Sequence, residues 1–288
     1  MPSCVEADLP SSLIEQTLEE IKGLISLPEV YQKVRELIDD PNSDIEEFVE
    51  VVASDPNLAV AVLKVANSAF FGFPGKIDSL TQAVSMLGIG QLHDLVLATS
   101  AIASLQLPNE IIPLRSFWRF SLFSAVLTRI LARVLKIPRG ERLFVIGLLH
   151  EIGHLVIYAK YPELAKRAID SAQTTQQLLH VAERHVLGMH YGEIGARLMA
   201  QWHLPSHFQE IVLYQPTPDS AKAYQAETAL LHLVHGHAEK LIFNHSAEPT
   251  DAQLSTSIAG LGLEAEQLDD AIEQAQEVCA DMERVMLS

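Results

Sequence analysis

Gly147-Leu148-Leu149-His150-Glu151-Ile152-Gly153-His154 is the stretch on which the reading of this chain turns. It sits inside an apolar run from Leu143 to Ile157 in which Phe144, Val145, Ile146, Leu155 and Val156 point to every side of a helix. A helix that is hydrophobic all round belongs in a core. The spacing predicts one central buried helix over Glu141 to Tyr158. Polar groups in such a helix are costly unless they are partnered, so His150 and Glu151 demand an explanation. His150, Glu151 and His154 interrupt the run, which is expected to fall short of a bilayer span.

Outward from this stretch, helical periodicity dominates and alternating strands with hairpin turns are absent, so the expected fold class is all-α with many helices. Ser43 and Glu46 stand three apart, as a capping box requires. Asp55-Pro56 supplies an N-cap followed by proline at the first helical position. Gly72 to Lys76 reads as a loop, and Thr81 to Leu87 as a helix that Gly88 ends. A second set of helices starts after Pro113: a long one over Phe117 to Leu135, then the central helix beyond Pro138-Arg139-Gly140. Further helices follow from about Pro162, Thr175, His190, Pro205, Ala221 and Ala265.

Composition bounds the function. A chain of 288 residues with 48% hydrophobic and 20% charged residues has a globular balance. Twenty basic against 37 acidic residues give a net charge of −17, which repels a phosphate backbone unless basic residues cluster. The tightest groups, Lys136 with Arg139 and Arg142 or Lys160 with Lys166 and Arg167, are small. Nucleic acid is not an expected partner. Cys4 and Cys279 have no redox or metal spacing, and Met1 to Ser12 lacks a basic, then apolar, leader. The expected location is the cytoplasm, without membrane insertion.

His150-Glu151-Ile152-Gly153-His154 also fits H-E-x-x-H, in which two histidines on one helical face bind zinc and the glutamate serves as general base. The extended form fails, because Ile157 and Lys160 stand where the later Gly and His belong. A third ligand would come from farther along, with Glu183 the candidate.

A second reading uses more of the chain. Gly147 to Gly153 resembles the G-L-L-H-D-I-G signature of HD phosphohydrolases with Glu in place of Asp. Further blocks occur in order: Asp55-Pro56-Asn57-Leu58-Ala59; Leu63-Lys64-Val65-Ala66-Asn67-Ser68-Ala69-Phe70-Phe71-Gly72; Ile77-Asp78-Ser79-Leu80; Phe117-Trp118; and Gly188-Met189-His190-Tyr191-Gly192 running on to Trp202-His203-Leu204-Pro205. Together they resemble the HDOD family, the HD-related output domain, over about residues 18 to 215.

The resemblance implies an N-terminal extension over 1–17, an HDOD-like domain over 18–215 and a C-terminal helical extension over 216–288. The domain divides into a lobe of short helices, 18–112, and a degenerate HD-like lobe, 113–215. It also implies a bacterial signal-transduction or response-regulator output module, with signalling proteins of two-component or cyclic-dinucleotide pathways as partners. The alternative is a metal-dependent phosphohydrolase of nucleotides or cyclic dinucleotides.

Carried over position by position, the residual HD-site residues are His150, Glu151 and His190, which are also the metal candidates. The histidine expected in the long helix falls at Phe120 or Ser121, a later His-His pair at Tyr214-Gln215, and the late acidic ligand near Gly236. With those ligands lost, no catalytic residue and no cofactor is expected, and three residual ligands leave room only for a weak divalent-metal site.

Each feature also has a plain reading. His150 and Glu151 are expected to hydrogen-bond each other or nearby backbone, and His154 to reach the helix edge. His232, His235 and His237 are expected on a solvated face. Asn67 with Phe70 and Phe71 offers a candidate partner surface, against which stand local capping by Asn67 and packing of the aromatics between the lobes.

Overall fold

The computed structural model describes residues 29–40, 43–67, 77–90, 92, 93, 96, 111–138, 140–243 and 257–286. In its first lobe, α1 (Glu29–Asp39), α2 (Ile45–Ala53), α3 (Pro56–Ala66) and α4 (Leu80–Leu87) turn sharply into one another. Their caps are local. The cap of α2 is Asp44, not Ser43: the Asp44 carboxylate accepts from the Glu47 amide at 2.9 Å, while the Ser43 hydroxyl donates to the carbonyls of Leu37 and Asp40. Asp55 caps α3 as expected, accepting from the Leu58 amide at 3.2 Å. Gly88 ends α4 with φ at 79°, a left-handed conformation that glycine adopts without steric cost.

The second lobe is built on α5 (Leu114–Val134), α6 (Glu141–Leu149) and α7 (Ile152–Lys160), followed by α8 (Pro162–Thr175), α9 (Leu179–Leu187), α10 (Tyr191–Gln201) and α11 (Ser206–Tyr214). Next come α12 (Gln225–Phe243) and α13 (Ala265–Met286), both packed against α5. The fold is all-helical, with no strand among the described residues. Arg35 on α1 donates to the carbonyl of Trp202 at 3.1 Å, tying the first lobe to the end of α10.

The central helix is not continuous. It breaks at His150 and Glu151, where Glu151 has φ −93° and ψ 9°. The His150 ring Nδ1 donates to the carbonyl of Gly147 at 2.6 Å, and an unbroken helix would give that carbonyl to the amide of residue 151. The glycines flanking the motif permit close packing. A Cβ at 147 would lie 2.8 Å from Ala125 Cα on α5, and one at 153 would lie 1.9 Å from the Tyr191 carbonyl oxygen on α10. Taken across the break, Arg142–Lys160 is long and apolar enough for a membrane span, contrary to expectation, but 89% of it is buried in the protein core.

Candidate functional site

The break in the central helix turns His150 and Glu151 toward α12. Glu151 Oε1 lies 3.7 Å from His150 Nε2 and 3.3 Å from His235 Nδ1, and the two imidazole nitrogens are 3.4 Å apart. These three residues form a group whose donor atoms lie within 4.8 Å of one another. All three side chains are buried. Because a carbonyl only accepts, the bond to Gly147 fixes the proton of neutral His150 on Nδ1 and leaves a lone pair on Nε2 facing the group. Burial pushes His150 down to about 4, so it is neutral at physiological pH.

The second oxygen of Glu151 pairs with His154 Nδ1, and His154 Nε2 lies 2.8 Å from Glu183 Oε1. Glu183, with its other oxygen, accepts from the Tyr191 amide at 2.9 Å. Burial opposes ionisation of Glu151, but His154 and His235 outweigh it and hold the carboxyl well below its usual range. Burial would likewise depress His154; Tyr158, Glu151 and Glu183 prevail and raise it well above the usual histidine value. A cationic imidazole thus stands between two carboxylates, stacked on Tyr191 at 4.1 Å.

His154 was expected at the helix edge, and His232 and His235 on a solvated face; all three are buried. The amphipathic pattern of α12 is weak because α5 and α11 both pack against it. His232 Nδ1 donates to the Gln215 carbonyl at 2.8 Å. His235 is the residue that the sequence reading did not place in the site. Its signal was present one residue from Gly236, where the late ligand was expected.

His190 is used differently from His150. It caps α10, its Nδ1 accepting from the Gly192 amide at 3.1 Å while Glu193 accepts from the His190 amide. Burial and Arg184 depress it to about 3. With the Nδ1 lone pair engaged and the ring proton on Nε2, no lone pair remains for a metal. Asn67 is likewise occupied locally: its Nδ2 donates to the carbonyls of Leu63 (2.8 Å) and Ile77 (2.6 Å), and its Oδ1 accepts from the Ile77 amide (2.7 Å). Phe70 and Phe71 lie outside the described residues.

Phe120 occupies the position at which the resemblance expects a histidine. Its ring stacks on His150 at 5.4 Å and meets His235 edge-on at 5.6 Å. Beside it, a cavity of about 660 Å³ reaches Glu151 and His154, lined also by Phe117, Tyr158, Glu239 and Phe243. Among its lining residues the ionisable groups are Glu151, His154, Tyr158 and Glu239, with no Lys or Arg.

A zinc-peptidase arrangement requires His150 and His154 to share an ion and leave the intervening glutamate free. Here both nitrogens of His154 face carboxylates, and Glu151 lies between the two histidines. The fuller metal set of HD hydrolases is not met either, since Phe120 has no donor atom. The residues present fit one ion, at His150, Glu151 and His235.

The HDOD domain model matches residues 24–218. The chain belongs to the HDOD domain family. Among solved structures, this HDOD chain resembles a Shewanella amazonensis SB2B protein provisionally named a phosphohydrolase, at 25% identity and a TM-score of 0.74 over 93% of this chain and 97% of that one. It also resembles a Marinobacter aquaeolei VT8 protein provisionally named for signal transduction, at 25% identity and a TM-score of 0.69 over 96% of this chain and 64% of that one. In sequence it is 24% identical over 200 residues to an uncharacterized Treponema pallidum (strain Nichols) protein, a match covering 68% of this chain and 38% of the relative. The chain therefore matches well under half the length of that relative.

Proposed function

We propose that this HDOD protein is a non-hydrolytic regulatory output module of the bacterial cytoplasm, acting through contacts with signalling proteins of two-component or cyclic-dinucleotide pathways. The observation that carries this reading is Phe120. A phosphohydrolase stabilises charge on the transferring phosphoryl group with metal ions and cationic side chains. Here an apolar ring packs on both imidazoles of the residual site. The adjoining cavity is lined by Glu151, Glu239 and His154 but by no Lys or Arg, and the His154 cation is already paired with Glu151 and Glu183, so an anionic phosphoester meets uncompensated negative charge.

The second reading, a metal-dependent phosphohydrolase, is favoured by the convergence of His150, Glu151 and His235 and by the provisional name of the Shewanella relative. Purified protein incubated with Mg²⁺, Mn²⁺ or Zn²⁺ and with bis-p-nitrophenyl phosphate or a cyclic dinucleotide separates the two. The expected result is release no faster than from a His150→Ala variant. Multiple turnovers that disappear in that variant would establish hydrolysis and overturn the proposal.

A further inference from the structure

The cavity beside Phe120 collects side chains from helices distant in sequence. Phe117 and Phe120 stand three apart on α5, and Glu239 and Phe243 four apart on α12, so each pair shares one helical face. The Phe120 and Phe243 rings lie 5.2 Å apart, tilted by 31°. Tyr158 on α7 and Ile169 on α8 continue this wall. At about 660 Å³ the space falls within the roughly 300–1,000 Å³ typical of small-molecule sites. Its charge is one-sided. The lining cation, His154, is held between Glu151 and Glu183, and two carboxylates around one imidazolium leave one negative charge in excess. Glu239 adds to it from α12, and a chain of net charge −17 draws cations toward such a cleft. Tyr158 offers a neutral polar group: burial keeps its phenol protonated, and among the described residues its hydroxyl has no hydrogen-bond partner.

We infer that this cavity binds a small organic ammonium ion, its charged head between the Glu239 carboxylate and the rings of Phe120 and Phe243, its apolar body against Phe117 and Ile169. Aromatic rings attract such a cation within about 6 Å of their centroids, and its carbon shell packs on the same apolar surface. The Tyr158 hydroxyl serves a polar group on the ligand. A phosphate or carboxylate ligand meets repulsion here, and a neutral hydrocarbon gains the walls but nothing from Glu239. The ligand bridges α5 of the family domain to α12, which lies beyond residues 24–218. The inference rests on the regulatory reading for one point, that the occupant is a signal and not a substrate.

The test uses the full chain and three probes of similar size: phenyltrimethylammonium, its uncharged isostere tert-butylbenzene, and phenyl phosphate. Ligand-detected NMR titration is expected to give a Kd for the cation in about the millimolar range, about tenfold or more below that of the isostere, with no binding of phenyl phosphate. Glu239→Gln should weaken the cation about tenfold and leave tert-butylbenzene unchanged. Phe243→Leu, which keeps an apolar side chain but removes the ring, should weaken the cation more than the isostere. Glu163→Gln, at an exposed acid on α8, should change neither. Circular dichroism checks the fold of each variant; if Glu239→Gln does not fold, the order of the three probes on the wild type decides. No saturable binding of the cation, equal affinity for cation and isostere, or unchanged cation binding in a folded Glu239→Gln would each overturn the inference. Hydrolysis of bis-p-nitrophenyl phosphate is scored separately. Absent binding without turnover removes this inference and leaves the regulatory reading; binding of the cation together with turnover does the reverse.

Discussion

Replacing Gly153 by alanine isolates the contact that sets α7 against α10. The added Cβ would stand 1.9 Å from the Tyr191 carbonyl oxygen, 2.7 Å from its carbon and 3.0 Å from the Gly195 amide nitrogen. All three are backbone atoms, so no rotamer change relieves the overlap and the two helices must separate by about 1.5 Å to restore ordinary contact. Overpacking that side chains can absorb costs about 1–3 kcal/mol, and a backbone obstacle places this case at or above the upper end. Alanine's better helix propensity offsets about 1 kcal/mol. A net loss of about 3 kcal/mol is expected, equivalent to a fall in Tm of about 6–10 °C. Urea unfolding followed by circular dichroism measures it, with Gly260→Ala as the opposite case. At 260 a Cβ meets nothing within 4 Å, so that variant should gain about 0.5–1 kcal/mol. If Gly153→Ala lay within 1 kcal/mol of wild type, the close approach of α7 and α10 would be wrong.

Two further predictions concern the site and the first lobe. In chelator-treated protein, His150 and His190 have lowered values, to about 4 and about 3, so the unfolded chain binds more protons than the folded one below about pH 6.5. Stability should therefore fall on acidification toward pH 4, at up to about 3 kcal/mol per pH unit from these two groups. His154 is raised, so its contribution is fully present below its unfolded value near 6.5 and is lost as pH rises through the folded one. Unfolding free energies measured across pH should peak near 6.5, and His154→Gln should flatten the alkaline limb; an unchanged limb would show that His154 is not held as a cation. Asn67→Ala removes two hydrogen bonds joining the end of α3 to Ile77 and a third to the Leu63 carbonyl within α3, and should cost about 2 kcal/mol in urea unfolding. A loss under 0.5 kcal/mol would return Asn67 to the exposed surface as a contact residue.

Much of this molecule was legible along the chain. Local chemistry marks Asp55 and Gly88 as helix boundaries, since a cap or a left-handed turn depends on neighbouring residues alone. The apolar run around Gly147 to Gly153 identifies the core, and the ordered motifs identify the HDOD family. The shift of the cap from Ser43 to Asp44 is a one-residue error of the same local kind. The break at His150-Glu151 was not legible, because periodicity is uniform through it and only the bond from His150 to Gly147 reveals the competition with the helical ladder.

The sequence by itself determined that the chain is helical, where most helices begin, and that His150 and Glu151 lie in a buried segment. Tertiary structure alone decided their company. It brought His235 across 85 residues to face them, placed His154 between Glu151 and Glu183, and engaged the Nδ1 lone pair of His190 in a cap. The physical reason is that periodicity specifies a side chain's direction about its own helix axis. Which distant side chain meets it depends on how closely the helices approach, and here that distance is set by the missing Cβ atoms of Gly147 and Gly153.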